Sequence, residues 1–184
     1  MLQEIIDIIK TNKKIKVIAI DGRCGSGKTT ISKTLQKEFN CNLIHLDDFF
    51  LRPSQRTPKR LNEVGGNIDY ERFINEVLSN LEKKEFSYKP YNCTKLDFDD
   101  EIKVINNKLL IIEGTYSMHP KFINYYDFKI FVTLDQKLQI ERLKNRNPLL
   151  LDRFINEWIP KEEAYFDKFD TLKSADKVIT SRIN

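Results

Sequence analysis

Cysteine and histidine are scarce in this sequence, and their scarcity excludes two ways of holding a small protein together. The 184 residues include three cysteines and two histidines, and no two cysteines form a Cys-x-x-Cys pair. An odd number of cysteines at unrelated spacings indicates neither a disulfide framework nor a zinc site. A chain that does not depend on disulfides is typical of a reducing compartment, so we expect a cytoplasmic protein.

Long apolar runs are missing as well. No stretch approaches the roughly 20 apolar residues that cross a bilayer. The first residues also lack the basic and apolar segments of a secretory signal. We therefore expect no membrane partner.

Neither sign of charge dominates the chain. It has 31 Lys and Arg residues against 27 Asp and Glu, a net charge of +4, and the basic residues are scattered among the acidic ones. Without a dense basic run, nucleic acid is not the expected partner.

The length predicts one domain over residues 1–184 and leaves a homo-oligomer open.

A strand, a glycine-rich loop and the start of a helix follow one another in residues 15–30. The apolar run 15–20 is typical of a buried parallel strand, and the loop after it satisfies the spacing G-x-x-x-x-G-K-[ST]. Backbone amides of such a loop bind phosphate oxygens. The alternative is a glycine-rich turn that binds nothing. The predicted nucleotide-binding residues are Gly22, Arg23, Cys24, Gly25, Ser26, Gly27, Lys28, Thr29 and Thr30.

Two of these side chains carry specific expectations, and ATP and Mg²⁺ are the cofactors that they imply. Lys28 is expected to contact the β- and γ-phosphates, and the Thr29 hydroxyl to ligate Mg²⁺. Cys24 lies beside Arg23 at the start of a helix, surroundings that favour a thiolate. Because P-loop chemistry does not use a thiol, we interpret Cys24 as a filler of space.

Predicted strands and helices alternate along the chain, which is typical of a parallel sheet. Apolar runs predict strands at 15–20, 41–46, 108–112, 128–134 and 177–180, with a turn at Asn106-Asn107 before the third of them. Helical spacing predicts helices at 2–11, from the glycine loop to about 40, from 69 to about 82, from 135 onward, and at 148–170 with a bend at Pro160. We predict a three-layer α/β fold of the P-loop NTPase type, with helices on both faces of a central parallel sheet.

Acidic residues end two of the predicted strands. Asp47 and Asp48 follow the second strand, and Glu113 ends the strand before Gly114. Ligands of open α/β sheets bind at the carboxyl ends of the strands, so these acids are candidates for catalysis or for binding metal. The alternatives are that Asp47 and Asp48 only cap a turn, and that Glu113 only marks the end of its strand.

Residues from about 51 to 105 break the alternation and are predicted to form a substrate-binding insertion. Residues 51–67 are basic, contain two adjacent glycines and are expected to be mobile. They either approach substrate or form a solvated surface. Aromatic residues and Pro90 in the segment 86–98 predict an irregular or hairpin segment over the site.

Three motifs together resemble the uridine kinase family, which includes phosphoribulokinase and bacterial pantothenate kinase. They are Ile-Asp-Gly-(x)₄-Gly-Lys-Thr-Thr at 20–30, His-Leu-Asp-Asp-Phe-Phe at 45–50 and Ile-Ile-Glu-Gly-Thr-Tyr-Ser at 111–117. The resemblance runs from about residue 15 to 179. It implies a small-molecule kinase that transfers the γ-phosphoryl group of ATP to a hydroxyl of a nucleoside-like acceptor, closed by a helical lid at about 138–158. A nucleotide-binding ATPase or regulatory switch without an acceptor is the alternative.

The resemblance also implies roles for acceptor-binding residues. Asp47 matches the catalytic carboxylate that orients and deprotonates the sugar hydroxyl, and Phe50 stands where a tyrosine is common. Asp69 lies in the nucleoside-contact segment as a candidate acceptor of ribose hydroxyls, and Tyr91 matches a base-stacking element. The histidine by which the family's nucleoside kinases read a pyrimidine has no counterpart in residues 91–95.

Phosphate and metal roles follow from the same resemblance. Arg142 and Arg146 fall in the lid helix, whose arginines bridge the transferring phosphate, and Arg153 lies just beyond them. The apolar strand that ends at Glu113 has the shape of a Walker B strand, with Glu113 where Asp is usual, and this acid would contact metal or substrate. The candidate metal ligands are therefore Thr29, Asp47 and Glu113.

Overall fold

Residues 2–106 and 109–182 are described by a computed structural model of the chain. The turn predicted at Asn106-Asn107 rests on residue 107, which lies outside the described residues. The described strands are β1 (Val17–Gly22), β2 (Asn42–His45), β3 (Glu85–Tyr88), β4 (Tyr91–Asn92), β5 (Asp97–Phe98), β6 (Ile102–Ile105), β7 (Leu110–Glu113), β8 (Phe128–Leu134) and β9 (Lys177–Ser181).

A five-stranded parallel sheet forms the centre of the molecule, with strand order β2-β7-β1-β8-β9. Its three middle strands are almost wholly buried. Such near-continuous apolar runs are expected where helices cover both faces of a sheet. The predicted α/β class with a parallel sheet is confirmed.

Helices cover this sheet on both sides. The described α-helices are α1 (Leu2–Thr11), α2 (Lys28–Phe39), α3 (Pro58–Leu61), α4 (Tyr70–Glu76), α5 (Gln136–Arg146), α6 (Leu151–Arg153), α7 (Ile159–Lys168) and α8 (Thr171–Ser174). Helices α1 and α2 pack Ile5 and Leu35 against one face of the sheet. Helices α4 and α7 pack Phe73 and Tyr165 against the other, which gives the three predicted layers.

The helix predicted from 69 to about 82 is shorter in the structure. Helix α4 ends at Glu76, and a 3₁₀ turn follows over Leu78–Asn80. The Asn80 side-chain amide donates to the carbonyl oxygens of Asn75 and Glu76 at 2.8 and 2.9 Å, so it satisfies two of the last carbonyls of the helix. Apolar spacing could not reveal this end, because the 3₁₀ turn keeps Leu78 buried.

Helical structure continues beyond α5, but it changes type. A 3₁₀ turn at Pro148–Leu150 leads into α6, a π-helical turn covers Phe154–Trp158, and α7 follows with Pro160 in its first turn. Proline has no N–H to donate to the preceding turn. The bend predicted at Pro160 therefore corresponds to a change from π- to α-helix immediately before it.

The insertion contains small antiparallel pairs and short helical turns. Strand β3 pairs with β6, and β4 pairs with β5, which confirms the hairpin alternative for residues 86–98. Residues 51–67 are held by Arg60, which donates to the carbonyl oxygens of Gly66 and Ile68 at 3.1 and 2.9 Å. In the described ranges, no helix is both long and apolar enough to cross a membrane.

Candidate active site

The glycine-rich loop connects β1 to α2 in a conformation that glycine alone adopts easily. Gly22 has φ +133°, and a Cβ placed there would lie 2.0 Å from the carbonyl oxygen of Val132. Gly27, with φ +96°, precedes the first residue of α2. No side chain caps α2. Its first amide groups are therefore available to an anion in the loop.

Polar side chains of the loop fit a phosphate ligand. The buried Lys28 Nζ donates to the carbonyl oxygens of Gly22 and Arg23 at 2.8 and 3.1 Å and to Thr115 Oγ1 at 3.3 Å. The Ser26 hydroxyl is buried and has no hydrogen-bond partner among the described residues. A phosphate oxygen in the loop could accept hydrogen bonds both from a buried hydroxyl that has no partner and from an ammonium group of the same loop.

A cavity of about 1100 Å³ opens over this loop and collects most of the predicted site residues. It reaches from the loop to the ends of β2 and β7 on one side and to the segment 142–162 on the other. The predicted residues that line it are Cys24, Gly25, Ser26, Gly27, Lys28, Thr29, Thr30, Asp47, Phe50, Glu113, Arg142, Arg146 and Arg153. Gly22, Arg23, Asp69 and Tyr91 are not among its lining residues.

Asp47 and Asp48 face different surroundings. Both lie in the 3₁₀ turn Leu46–Phe49 that follows β2, but only Asp47 lines the cavity. The Asp48 carboxylate accepts a hydrogen bond from Tyr88 Oη at 3.0 Å. Burial raises the pKa of Asp47, and the nearby charge of Lys28 opposes that rise. A carboxylate that lines the cavity and has a raised pKa, beside a phosphate-binding loop, is a candidate general base.

Glu113 joins the loop to the end of β2. Its Oε1 accepts from the Thr29 hydroxyl at 3.2 Å, and its Oε2 lies 2.8 Å from His45 Nδ1. The hydrogen bond with Glu113 raises the pKa of His45, while partial burial opposes the rise. His45 was not predicted as a site residue, because its pairing with Glu113 depends on strand register, which the sequence does not display.

Arg142 and Arg146 have no carboxylate partner in the described ranges, whereas Arg153 does. Arg142 donates to the carbonyl oxygen of Gly25 at 3.2 Å, and the Arg146 guanidinium lies 5.0 Å from the centre of the Phe154 ring. Arg153 pairs with Glu157 at 3.1 Å. The charges of Arg142 and Arg146 are therefore the less compensated ones at the cavity.

The prediction that the surroundings of Cys24 favour a thiolate is wrong. Burial, followed by the neighbouring carboxylate of Glu162, raises the pKa of Cys24 to about 12. The Gln139 side chain donates to its sulfur at 3.3 Å. The sequence showed the helix terminus beside Cys24 but not this buried acid, which lies far along the chain. A neutral thiol agrees with the interpretation of Cys24 as a filler of space.

Helix α7 holds the first half of the loop through two acids that the sequence did not single out. Glu162 accepts from the backbone N–H of Cys24 at 2.9 Å. Glu163 pairs with Arg23 through two hydrogen bonds of 2.7 and 2.6 Å. The Arg23 side chain is thereby engaged by α7, and Arg23 is not among the residues that line the cavity.

Asp69 and Tyr91 organise the insertion in this structure. Asp69 is 2 % exposed, caps α4 by accepting from the backbone N–H of Arg72 at 3.1 Å, and accepts from Gln55 Nε2 at 2.7 Å. Tyr91 is 4 % exposed and packs edge-on against Phe98. Their roles as contacts for ribose and base stay predictions. Phe50 lines the cavity as expected, together with Asn67 and Cys93.

No cage of three or more His, Cys, Asp or Glu side chains suited to a metal ion exists within residues 2–106 and 109–182. The candidate ligands Thr29, Asp47 and Glu113 nevertheless line one cavity. Mg²⁺ is commonly bound by one or two protein oxygens, with phosphates and water completing its coordination. The donor set therefore suits a metal that enters with a nucleotide.

The parallel sheet, the loop between β1 and α2 and the facing acids and arginines define a P-loop kinase fold. Solved structures with this fold include a possible uridine kinase from Bacillus stearothermophilus, with TM-score 0.70, 21 % identity and coverage of 97 % of this chain and 96 % of that one. Phosphoribulokinase from Rhodobacter spheroides aligns with TM-score 0.60 and 14 % identity, over 94 % of this chain and 73 % of that one.

Sequence similarity identifies the family within this class. Residues 17–148 match the Phosphoribulokinase / Uridine kinase family, and the chain belongs to it. The uridine kinase of Anoxybacillus flavithermus is 26 % identical over 91 % of this chain and 86 % of that protein. A uridine kinase of Bacillus cereus is 27 % identical over 92 % and 86 %. The chain is a phosphotransferase that acts on an alcohol group of a small molecule, and the resemblance to this family is confirmed.

Proposed function

We propose that this kinase transfers the γ-phosphoryl group of ATP to a hydroxyl of a nucleoside-like small molecule. One observation carries the proposal: Asp47 lines the same cavity as Lys28 and Thr29, whereas the adjacent Asp48 is turned toward Tyr88. In this structure Glu113 and Glu162 are engaged with loop groups, so Asp47 is the carboxylate best suited to deprotonate a hydroxyl. The uridine kinases among its relatives support a nucleoside-like acceptor.

In the proposed reaction, the chain's residues orient the acceptor and stabilise charge. Asp47 accepts the proton of the acceptor hydroxyl. At the same time the hydroxyl oxygen forms a bond to the γ-phosphorus, and the bond between that phosphorus and the leaving ADP breaks. Lys28, Arg142 and Arg146 stabilise the negative charge on the transferring group. Mg²⁺, when bound, neutralises part of the phosphate charge, and Thr29 and Glu113 would hold it, with Asp47 as a further candidate.

A lid is part of the proposal, because water competes with the acceptor for the phosphoryl group. The lid is assigned to about residues 138–158, and the insertion at about 51–105 contributes the acceptor end of the single kinase domain. Arg142, Arg146 and Phe154 line the cavity from the lid side. Closure over both substrates would exclude water from the reacting groups.

The test is ADP release by the purified protein with ATP and Mg²⁺, with and without a panel of nucleosides. Release that requires a nucleoside supports the proposed kinase. Release that ignores the panel supports an ATPase or regulatory switch instead. Absence of release with every compound, despite nucleotide binding, contradicts the nucleoside-like acceptor. Lys28→Ala supplies the background, because it removes the ammonium group from the loop.

A further inference from the structure

His45 and Glu113 meet where two parallel strands end. They are direct partners in the register of β2 and β7, and His45 Nδ1 lies 2.8 Å from Glu113 Oε2. The Glu113 side chain is 6 % exposed, whereas that of His45 is 37 % exposed. A half-exposed imidazole therefore holds a buried carboxylate that lines the cavity.

The direction of the hydrogen bonds follows from the chemistry of the groups. An ionised carboxylate only accepts, so Nδ1 of His45 carries the proton and donates to Glu113. The second carboxylate oxygen, Oε1, accepts from the Thr29 hydroxyl at 3.2 Å. Because a hydroxyl has a single proton, donation to Glu113 leaves the lone pairs of Thr29 Oγ1 for another ligand.

We propose that His45 is a positioning residue for the divalent cation that accompanies the nucleotide. By fixing Glu113, it keeps the oxygens of Glu113 and Thr29 in the orientation that receives the cation. His45 is not among the residues that line the cavity, so it acts through Glu113. The inference rests on the proposed Mg²⁺-dependent kinase function.

The small number of partners of Glu113 separates this arrangement from an ordinary surface ion pair. In the described part of the chain, the Glu113 carboxylate has only His45 and Thr29 as hydrogen-bond partners, so loss of His45 leaves Oε2 without one. Removal of an outer partner of a metal-binding group typically lowers metal affinity about 10- to 100-fold. A surface ion pair would affect stability slightly and metal affinity not at all.

The experiment measures Mn²⁺ binding in the presence of an ATP analogue that is not hydrolysed, using the electron paramagnetic resonance signal of free Mn²⁺. For His45→Ala we expect an affinity about 10- to 100-fold weaker than in the parent protein. Affinity for the analogue without metal should stay unchanged. His45→Asn should restore most of the metal affinity, because its amide nitrogen occupies the position of Nδ1. In His45→Gln the nitrogen lies one bond further out, so we expect less rescue.

Asn42→Ala provides the matched control, because it changes the other end of β2 without touching Glu113. Thermal unfolding of every variant reports whether the fold is kept. If His45→Ala does not fold, His45→Gln replaces it, because we expect a loss of metal affinity in His45→Gln relative to His45→Asn. Unchanged Mn²⁺ affinity in His45→Ala, or an equal loss of metal-free nucleotide affinity, overturns the proposal. If the parent protein itself binds no Mn²⁺ with the analogue, the proposed kinase function fails first.

Discussion

Asp47 and Asp48 are adjacent, yet the structure gives them unequal access to the cavity. Asp47→Asn keeps the shape of the side chain and removes the proton acceptor. General-base assistance contributes about 10² to 10⁴ in rate, so we expect a fall in kcat of that order with nucleotide affinity retained. Asp48→Asn should lower kcat much less, because the Asp48 carboxylate accepts a hydrogen bond from Tyr88 and does not line the cavity. Steady-state turnover and nucleotide titration of both variants test this prediction. A larger loss of kcat in Asp48→Asn than in Asp47→Asn would identify Asp48 as the base instead.

The raised pKa of Asp47 adds a pH dependence to the same reaction. The base acts only when it is ionised, so turnover should fall as the pH drops through the pKa of Asp47. Because desolvation raises this pKa above that of an ordinary aspartate, the fall should begin at a higher pH than for a fully hydrated carboxylate. A kcat profile against pH checks it. If the fall of kcat at low pH is the same in Asp47→Asn as in the parent protein, another group is responsible for it.

Cys24 is expected to be chemically inert although it lies in the loop. A thiol with a pKa of about 12 is neutral near pH 7, and only the thiolate reacts readily with an alkylating reagent. We therefore expect iodoacetamide to label the exposed Cys93 before the buried Cys24 in the folded protein. Cys24→Ser should keep turnover close to the parent value. Mass spectrometry of the labelled protein and an activity assay check these outcomes, and rapid labelling of Cys24 would contradict the assigned environment.

The individual residues show what a sequence motif can and cannot predict. Asp47 and the predicted loop residues 24–30 line one cavity, because their arrangement is encoded within a few neighbouring positions, whereas Gly22 and Arg23 do not line it. Asp69 was expected to meet substrate, but it is buried as the cap of α4 and lies outside the cavity lining. Asp69 accepts a hydrogen bond from Gln55, and His45 is hydrogen-bonded to Glu113. Both are long-range pairings that local spacing does not reveal.

At the scale of elements, the arginines of the proposed lid and Arg153 differ in how far their charge is compensated. Arg142 has no carboxylate partner in the part of the chain that the structure describes, whereas Arg153 is paired with Glu157. We expect Arg142→Ala to lower kcat about 10²- to 10³-fold, the usual effect of losing one preorganised donor to a developing charge. Arg153→Ala should have a smaller effect. Steady-state kinetics with saturating ATP compare the two, and a greater loss at Arg153 would reverse their order.

Elements of the central sheet were predictable, whereas those around the site were less so. Strand β8 and the start of α5 were predicted at their observed residues, because a buried strand followed by an Asp cap has a strong local pattern. The end of α4 and the π-helical turn before Pro160 were not predicted. In both places the backbone changes its hydrogen-bond pattern while apolar residues stay buried. The apolar periodicity of the sequence therefore does not predict the change.

At the scale of the whole molecule, α7 and the segment proposed as a lid belong to one run of helical structure that contacts the loop. Glu162 and Glu163 bind the backbone N–H of Cys24 and the side chain of Arg23, respectively. The segment before them carries Arg142 and Arg146, which line the same cavity. The shape of the phosphate-binding loop therefore depends on a helix near the end of the chain. Nucleotide binding should accordingly stabilise the fold as a whole.

A ligand that binds only the folded state stabilises it by RT ln(1 + [L]/Kd), about 2.7 kcal/mol at a concentration of 100 Kd. For a domain of this size, such a stabilisation raises the Tm by about 5 to 10 °C. We expect that shift for the parent protein with Mg²⁺ and an unhydrolysed ATP analogue. Lys28→Ala should unfold near the parent temperature without ligand, show a smaller shift with it, and lose about 3 kcal/mol or more of transition-state stabilisation in turnover.

Lys33→Ala is the matched control for Lys28→Ala, because Lys33 lies on the exposed side of the same helix. Its ligand-induced shift and turnover should equal those of the parent. Differential scanning fluorimetry and the ADP-release assay measure the two effects separately. If Lys28→Ala keeps both the full thermal shift and near-normal turnover, the ammonium group does not act on phosphate, and the assignment of the loop fails. If both lysine variants lose the shift equally, the effect reports the net charge of α2, since only Lys28 reaches the cavity.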